Sequence, residues 1–324
     1  MNLLVTGGSG FIGSNFINYW LKKHPGDQIT NVDKLTYAAD PAFVPTSGGK
    51  DSYILLKADI CDYERMREIT KNIDVIINFA AESHVDRSIE DASSFVNSNI
   101  IGVHNLLRIV RDRKLRFHQV STDEVYGSLT LDSKEKFNAR SPYNPKNPYS
   151  ASKAAADFMV RAFHNTYGLP VTISNCSNNY GPLQHPEKLI PKTILFALEE
   201  RKVPIYGNGR QVRDWIYVED HCSALEIVLE SGVYGSTVLI GGGNEYSNID
   251  TVSLILKLMD VPMDIIEFVK DRPGHDVRYA IDSSDFQNET GWKPIVNFRD
   301  GLIKTIEHYR KGREKYLARM TVNL

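Results

Sequence analysis

Three cysteines among 324 residues, Cys61, Cys176 and Cys222, are few, odd in number and far apart. That spacing argues against a disulfide framework and suits a reducing compartment, so a cytoplasmic protein is expected. There is no CxxC and no pair of histidines at helical spacing, so no structural or catalytic metal is expected. No apolar run approaches the ~20 residues that a membrane span needs. A strand expected from Asn2 leaves no room for a signal peptide. Neither charge dominates: 38 Lys and Arg face 40 Asp and Glu, for a net charge of -2. Nothing therefore draws the chain toward nucleic acid or an anionic membrane. The basic runs at 108–117 and 310–319 read as solvated helix ends, and neither carries the interleaved aromatics of a single-strand binder. No repeat and no low-complexity linker is visible.

What is present is a globular composition, 42% apolar and 24% charged, with a regular alternation in its first half. Apolar strands are expected near 2–6, 28–32, 53–58, 74–79, 116–121 and 170–175. Helical periodicity falls between them, near 11–23, 62–71, 91–113 and 149–167. This alternation predicts an α/β fold, a Rossmann-type doubly wound parallel sheet covered on both faces. A helix near 188–200 follows. "DWIYV" and a helix over 219–232 then read as a return to that sheet, and a helix near 248–259, a strand near 264–269 and a terminal helix from about 299 complete the chain. The expected layout is a dinucleotide-binding domain, 1–177 plus about 215–240, and a smaller discontinuous substrate domain, about 178–214 plus 241–324.

"LLVTGGSGFIGSNF" is strand, glycine loop and helix. Gly7, Gly10 and Gly13 let the backbone approach a pyrophosphate, which the helix N-terminus welcomes with free N–H groups. Asp33 ends the second strand about twenty residues on. Its carboxylate can accept from both ribose hydroxyls and repels a 2′-phosphate, which favours NAD, although Lys34 beside it pulls the other way. Asp59 suits either an adenine amine or a helix cap. "NFAAES" supplies Phe79, Ala80 and Ala81, small enough at the end of the fourth strand for a cofactor to lie across it.

Tyr149 and Lys153 stand at i and i+4 on one helix face. A phenol ordinarily titrates near pH ~10, and a nearby ammonium lowers that value, making the pair a base for a sugar hydroxyl. In "QVSTDEVYG", Thr122, Asp123 and Glu124 fall at the carboxyl edge of the fifth strand, where ligands bind in open α/β sheets. Two adjacent acids in a cleft can hold different protonation states, one donating a proton while the other accepts. A simple dehydrogenase needs neither. An elimination next to a carbonyl needs both.

Taken with "FAAESHVDRSI", "YSASKAAAD", "NCSNNYGPLQHPEKLIP", "VRDWIYVEDH" and "DRPGHDVRYAID", these motifs resemble the extended short-chain dehydrogenase/reductase family, and within it the dTDP-glucose 4,6-dehydratases. The resemblance covers nearly the whole chain. It implies an NAD that stays bound and is regenerated each turnover, and dTDP-glucose as substrate. Tyr149 would take the C4 hydroxyl proton as hydride passes to NAD, with Thr122 holding the C4 oxygen. Glu124 would remove the C5 proton while Asp123 protonates the departing C6 hydroxyl, and hydride returns to C6. The resemblance adds Phe11, Ile12, Thr36, Ile60, Asn99 and Ser121 to the cofactor site. To the sugar and nucleotide it assigns His84, Asp86, Arg87, Asn178, Asn179, Glu187, Lys188, Leu189, Pro204, Tyr206, Arg213, Asn248, Arg272, His275 and Tyr279, with Arg213 and Arg272 suited to a diphosphate. His275 equally reads as a structural histidine oriented by Asp276. A homodimer through two helices per subunit is implied. The rivals are a UDP-sugar dehydratase or 4-epimerase, and a catalytically idle NAD-binding protein. The stretch "YAADPAFVPTSGG" and the segment 128–147 depart from the family pattern.

Overall fold

The computed structural model describes residues 1–44 and 52–321. The end of the divergent stretch, 45–51, lies outside them. Seven strands form one parallel sheet: β1 (Asn2–Thr6), β2 (Gln28–Asp33), β3 (Tyr53–Lys57), β4 (Val75–Asn78), β5 (Arg116–Thr122), β6 (Val171–Cys176) and, completing it, β10 (Thr237–Ile240). Their order is β10-β6-β5-β4-β1-β2-β3, every pairing parallel. Strands such as "NLLVT" and "VIIN" are near-continuous apolar runs because a parallel sheet is covered on both faces. The order reverses between β1 and β4, and that reversal opens the crevice where dinucleotides bind in this architecture.

One face is covered by α1 (Phe11–Lys23) and α8 (Val218–Ser231), which contribute Phe16, Trp20 and Leu225 to one core cluster. The other carries α2 (Tyr63–Ile69), α5 (Val103–Arg113) and α6 (Pro148–Tyr167), with Met66, Leu106 and Val160 in a second. Asn147 begins α6 with a capping box to Ser150, and Pro148 occupies the first turn. Those residues fix the helix start and so the facing of Tyr149.

The helix expected over 91–113 is interrupted. After α3 (Val85–Glu90) and the single turn α4 (Ser93–Phe95), residues Val96–Gly102 form a π-turn that leads into α5. The extra residue per turn lets Asn99 face inward, a use to which such bulges are put near functional sites.

A second unit is built from β7 (Asn178–Tyr180), α7 (Leu189–Leu198), β8 (Val203–Tyr206), β9 (Val212–Tyr217), β11 (Glu245–Ser247), α9 (Asn248–Met259), β12 (Ile266–Val269), α11 (Phe298–Lys311) and α12 (Arg313–Thr321), whereas α10 (Ser284–Thr290) packs against β10 and puts Phe286 in the first core cluster of the main sheet. "DWIYV" belongs to β9, which pairs with β7 and β11 and not with the main sheet. Its run is buried on both faces, and such a run cannot say which sheet it enters. The return to the main sheet is made instead by α8 and the four-residue β10. The run 310–319 is likewise no solvated helix end: Tyr316 is buried, Arg313 pairs with Glu199, and Arg319 reaches Asp40. Tyr180, Trp215 and Phe298 centre the core of this unit.

Candidate active site

The sheet's carboxyl edge carries two clefts with a common wall. The first is lined by Gly7, Gly10, Phe11, Ile12, Gly13, Asp33, Lys34, Thr36, Asp59, Ile60, Phe79, Ala80, Ala81, Ser121, Tyr149 and Lys153. Gly7 has φ +69° and hydrogen-bonds to Val32, and an added Cβ would stand 2.6 Å from the Ala80 nitrogen. At Gly13 a Cβ would stand 2.5 Å from the Gly7 carbonyl. The loop therefore closes only with bare backbone, leaving the cradle a pyrophosphate fits. Asp33 accepts from the Ser9 N–H at 2.9 Å and the Leu35 N–H at 2.8 Å. Leu35 holds φ +57° to make that turn. Lys34 is drawn to Asp59 at 2.8 Å. Asp59 also takes the Cys61 N–H, while the cap of α2 is Asp62, so the capping alternative for Asp59 falls away.

Asn99 is not on the cleft surface. It is 1% exposed, accepts from the Glu82 N–H and donates to the Glu82 carbonyl and to Ser152. The π-turn makes it a staple behind the wall.

The second cleft is lined by His84, Asp86, Thr122, Glu124, Tyr149, Asn178, Asn179, Glu187, Lys188, Leu189, Pro204, Tyr206, Arg213, Asn248, Arg272, His275 and Tyr279. Tyr149, Glu187 and Lys188 face both chambers, so the phenol sits at their junction. Gln184, Lys192 and Trp215 also line this cleft and were not singled out from the sequence. Lys192 stands one helical turn beyond Lys188 on α7, a spacing that could have found it.

Asp123 is buried and Glu124 half-buried, and each keeps one buried carboxyl oxygen without a partner among the described residues. Burial, then the nearby Glu124 and Asp214, push Asp123 well above the usual carboxylate range. Burial raises Glu124 as well, but the cations Arg213 and Arg272 pull it back. Both acids shift upward, Asp123 the further, so their environments set a proton donor beside a more ionisable base. Asp123 lies just beneath the cleft surface, its other oxygen near the Thr122 hydroxyl at 3.4 Å.

The Tyr–Lys pair departs from expectation. Lys153 donates to the Val120 carbonyl at 2.7 Å, and burial lowers its pKa. Tyr149 is raised well above an ordinary phenol by burial, then by Glu124, with only the Thr122 hydroxyl easing it. The protein alone keeps this phenol protonated, because desolvation outweighs an ammonium already engaged elsewhere.

Several expected substrate residues are tied to the protein. Asn179 donates to the Ser177 carbonyl and accepts from His221. Arg213 donates to the Val212 and Asp276 carbonyls and lies 4.3 Å from the Tyr279 ring centroid. His275 pairs with Asp271, not Asp276, at 2.6 Å, and Asp276 takes the Tyr279 hydroxyl. Burial and the neighbouring Arg272 lower His275 to about 4, and burial, then Lys188, lowers His84 to about 4. Arg272 pairs with Asp86 yet leaves its buried Nε unpartnered among the described residues, as does the Asn178 carbonyl oxygen. Lys188 reaches the Ser83 carbonyl at 3.1 Å. Unsatisfied buried donors, acceptors and ammonium groups in one cleft fit an anionic, hydroxyl-rich ligand.

Four likenesses bear on this site. The family model described as GDP-mannose 4,6 dehydratase matches residues 4–305. A dTDP-glucose 4,6-dehydratase of Haemophilus influenzae is 46% identical over 332 residues, covering 95% of this chain and 98% of the relative. Among solved structures, the dTDP-glucose 4,6-dehydratase of Bacillus anthracis in complex with NAD superposes with a TM-score of 0.92 at 42% identity, over 98% of this chain and 99% of that one. The Streptomyces venezuelae dTDP-glucose 4,6-dehydratase DesIV, solved with NAD and TYD bound, gives 0.95 at 41%, over 98% and 100%.

Proposed function

The chain belongs to the dTDP-glucose 4,6-dehydratases, and we propose from that membership that it converts dTDP-glucose to dTDP-4-keto-6-deoxyglucose, a hydro-lyase reaction with NAD as cofactor. The carrying observation is the pair Asp123 and Glu124, one acid buried and one half-buried, of unlike environment beside Thr122 and the junction phenol. A 4-epimerase has no task for such a pair.

Gly7, Gly10 and Gly13 would cradle the NAD pyrophosphate, and Asp33 the adenosine ribose. NAD, when bound, would supply a hydride acceptor for C4 of the sugar, a hydride donor for C6, and the positive charge that Tyr149 lacks in the protein alone. Tyr149 accepts the C4 hydroxyl proton, and Thr122 holds the C4 oxygen as it becomes a ketone. That ketone acidifies C5, and Glu124 takes the C5 proton. Asp123, kept neutral by burial, gives its proton to the C6 hydroxyl, which leaves as water. Protonation of C5 completes the keto sugar, with one water lost and no net oxidation. Arg213 and Arg272 hold the diphosphate, and Glu187, Lys188 and Asn178 the sugar.

The product feeds dTDP-rhamnose or other deoxysugar biosynthesis, in the cytoplasm. A homodimer through α5 and α6 is supported by the apolar Val96, Ile101 and Phe158, all exposed on or beside those helices. Among the described residues no helix is long and apolar enough to cross a membrane. The test is dTDP-glucose bearing deuterium at C4. Expected are a keto sugar absorbing in the ultraviolet under alkali and the label in its C6 methyl. Recovery of only a C4 epimer, or faster turnover of UDP-glucose alongside, rejects the assignment.

A further inference from the structure

Arg319 and Lys315 lie in the run that the sequence reading set aside, on a helix that packs against the second unit yet ends above the cofactor cleft. Arg319 donates to the Ala38 carbonyl at 2.9 Å and to Asp40 at 3.1 Å, and Lys315 pairs with Asp40 at 2.8 Å. Both cations also lie over the buried Phe43 ring, 4.9 and 5.0 Å from its centroid. The segment they hold is the one whose Thr36, Ala38 and Ala39 line the first cleft. From beneath, the Asp40 N–H is bonded to the Ser9 carbonyl inside the glycine loop at 2.9 Å. The segment is thus pinned from below by the dinucleotide loop and from above by α12.

We propose that α12, through Arg319 and Lys315 on Asp40 and Ala38, is a clip that holds residues 36–40 over the dinucleotide and sets how slowly NAD leaves. The inference rests on the NAD site proposed above. Isolated surface ion pairs contribute little, but this one is not isolated. Arg319 and Asp40 are only 16% and 17% exposed in their side chains, and the guanidinium bonds a carboxylate and a backbone carbonyl at once. Such a double, charge-assisted contact fixes geometry as well as adding attraction. Because the clip touches no reacting atom, it acts on dissociation and not on chemistry. A cycle that oxidises and then re-reduces one sugar needs that retention, since a cofactor lost midway strands the intermediate.

The test loads the full-length protein with NADH, chases with excess NAD, and follows the loss of bound-NADH fluorescence. Arg319→Ala and Asp40→Asn each speed release about tenfold, the scale for losing a charged hydrogen bond. Arg319→Lys, which keeps the ion pair, gives an intermediate rate, and Lys315→Ala a smaller change. With NAD saturating, kcat of all four stays near that of the parent, while NAD carried through gel filtration falls in the order of the release rates. Unchanged release in both Arg319→Ala and Asp40→Asn overturns the clip. So does faster release matched by an equal fall in saturated kcat, which marks general loosening. A parent protein that binds no NADH removes the cofactor assignment itself, a failure distinct from either.

Discussion

The cofactor cleft and the substrate cleft share Tyr149, Glu187 and Lys188 but are made of different materials. On the cofactor side the recognition surface is backbone: a glycine loop, small residues at the end of β4, and Asp33 held by two N–H groups. On the substrate side it is desolvated charge: Arg213 and Arg272 pull Glu124 back from the rise that burial gives it, and burial lowers Lys188 and Lys192. A backbone surface is insensitive to the loss of one side chain. A surface of desolvated charges is not, because each group removed leaves a partner uncompensated.

Three substitutions sharpen or break that contrast. Glu124→Gln has the largest effect, lowering kcat by ~10²–10⁴-fold as a lost general base does, with little change in dTDP-glucose affinity. It also reshapes the pH profile. Glu124 works ionised and its pKa is raised by burial. The parent rate therefore falls as pH drops through a value above that of a free carboxylate, and the Gln variant lacks that acid limb. Full activity in the variant removes Glu124 from the base role. Arg213→Ala comes next. It costs about 1–3 kcal/mol in substrate affinity, read as a raised KM, and it lowers thermal stability too, because the guanidinium also bonds two carbonyls and covers Tyr279. Unchanged affinity takes it out of the diphosphate site. Lys34→Ala, on the cofactor side, has the smallest effect. Its pair with Asp59 is largely exposed, so NAD affinity shifts by less than about 1 kcal/mol, measured by titration. A loss there exceeding that at Arg213 would invert the comparison.

The same contrast explains what could be read from the chain. The glycine loop, Asp33 and the strand–helix alternation are local signals, and local spacing carried them intact into the structure. Thr122, Asp123 and Glu124 were legible because the end of a strand places them. Asn99 was not, since only a π-turn inside an otherwise regular helical pattern swings it behind the wall. β9 reads from its sequence as a strand of the main sheet and β10 escapes the pattern altogether, because a short buried run reveals burial and not its partner. The preoccupation of Lys153 with Val120, and of Arg213 with Asp276, depends on neighbours distant in the chain. Arg319 looked like a solvent-facing cation for the same reason: its partner is 279 residues away.

The partition between the chambers has a further implication. Phe11 and Ile12, at the start of the first helix after the glycine loop, line both chambers along with Tyr149. A change that retunes one chamber at those positions is felt in the other. Divergence toward new sugars within such a scaffold must therefore proceed from the outer wall, in segments such as 204–206, while the dividing layer stays fixed. Attempts to re-engineer the sugar preference belong at that periphery.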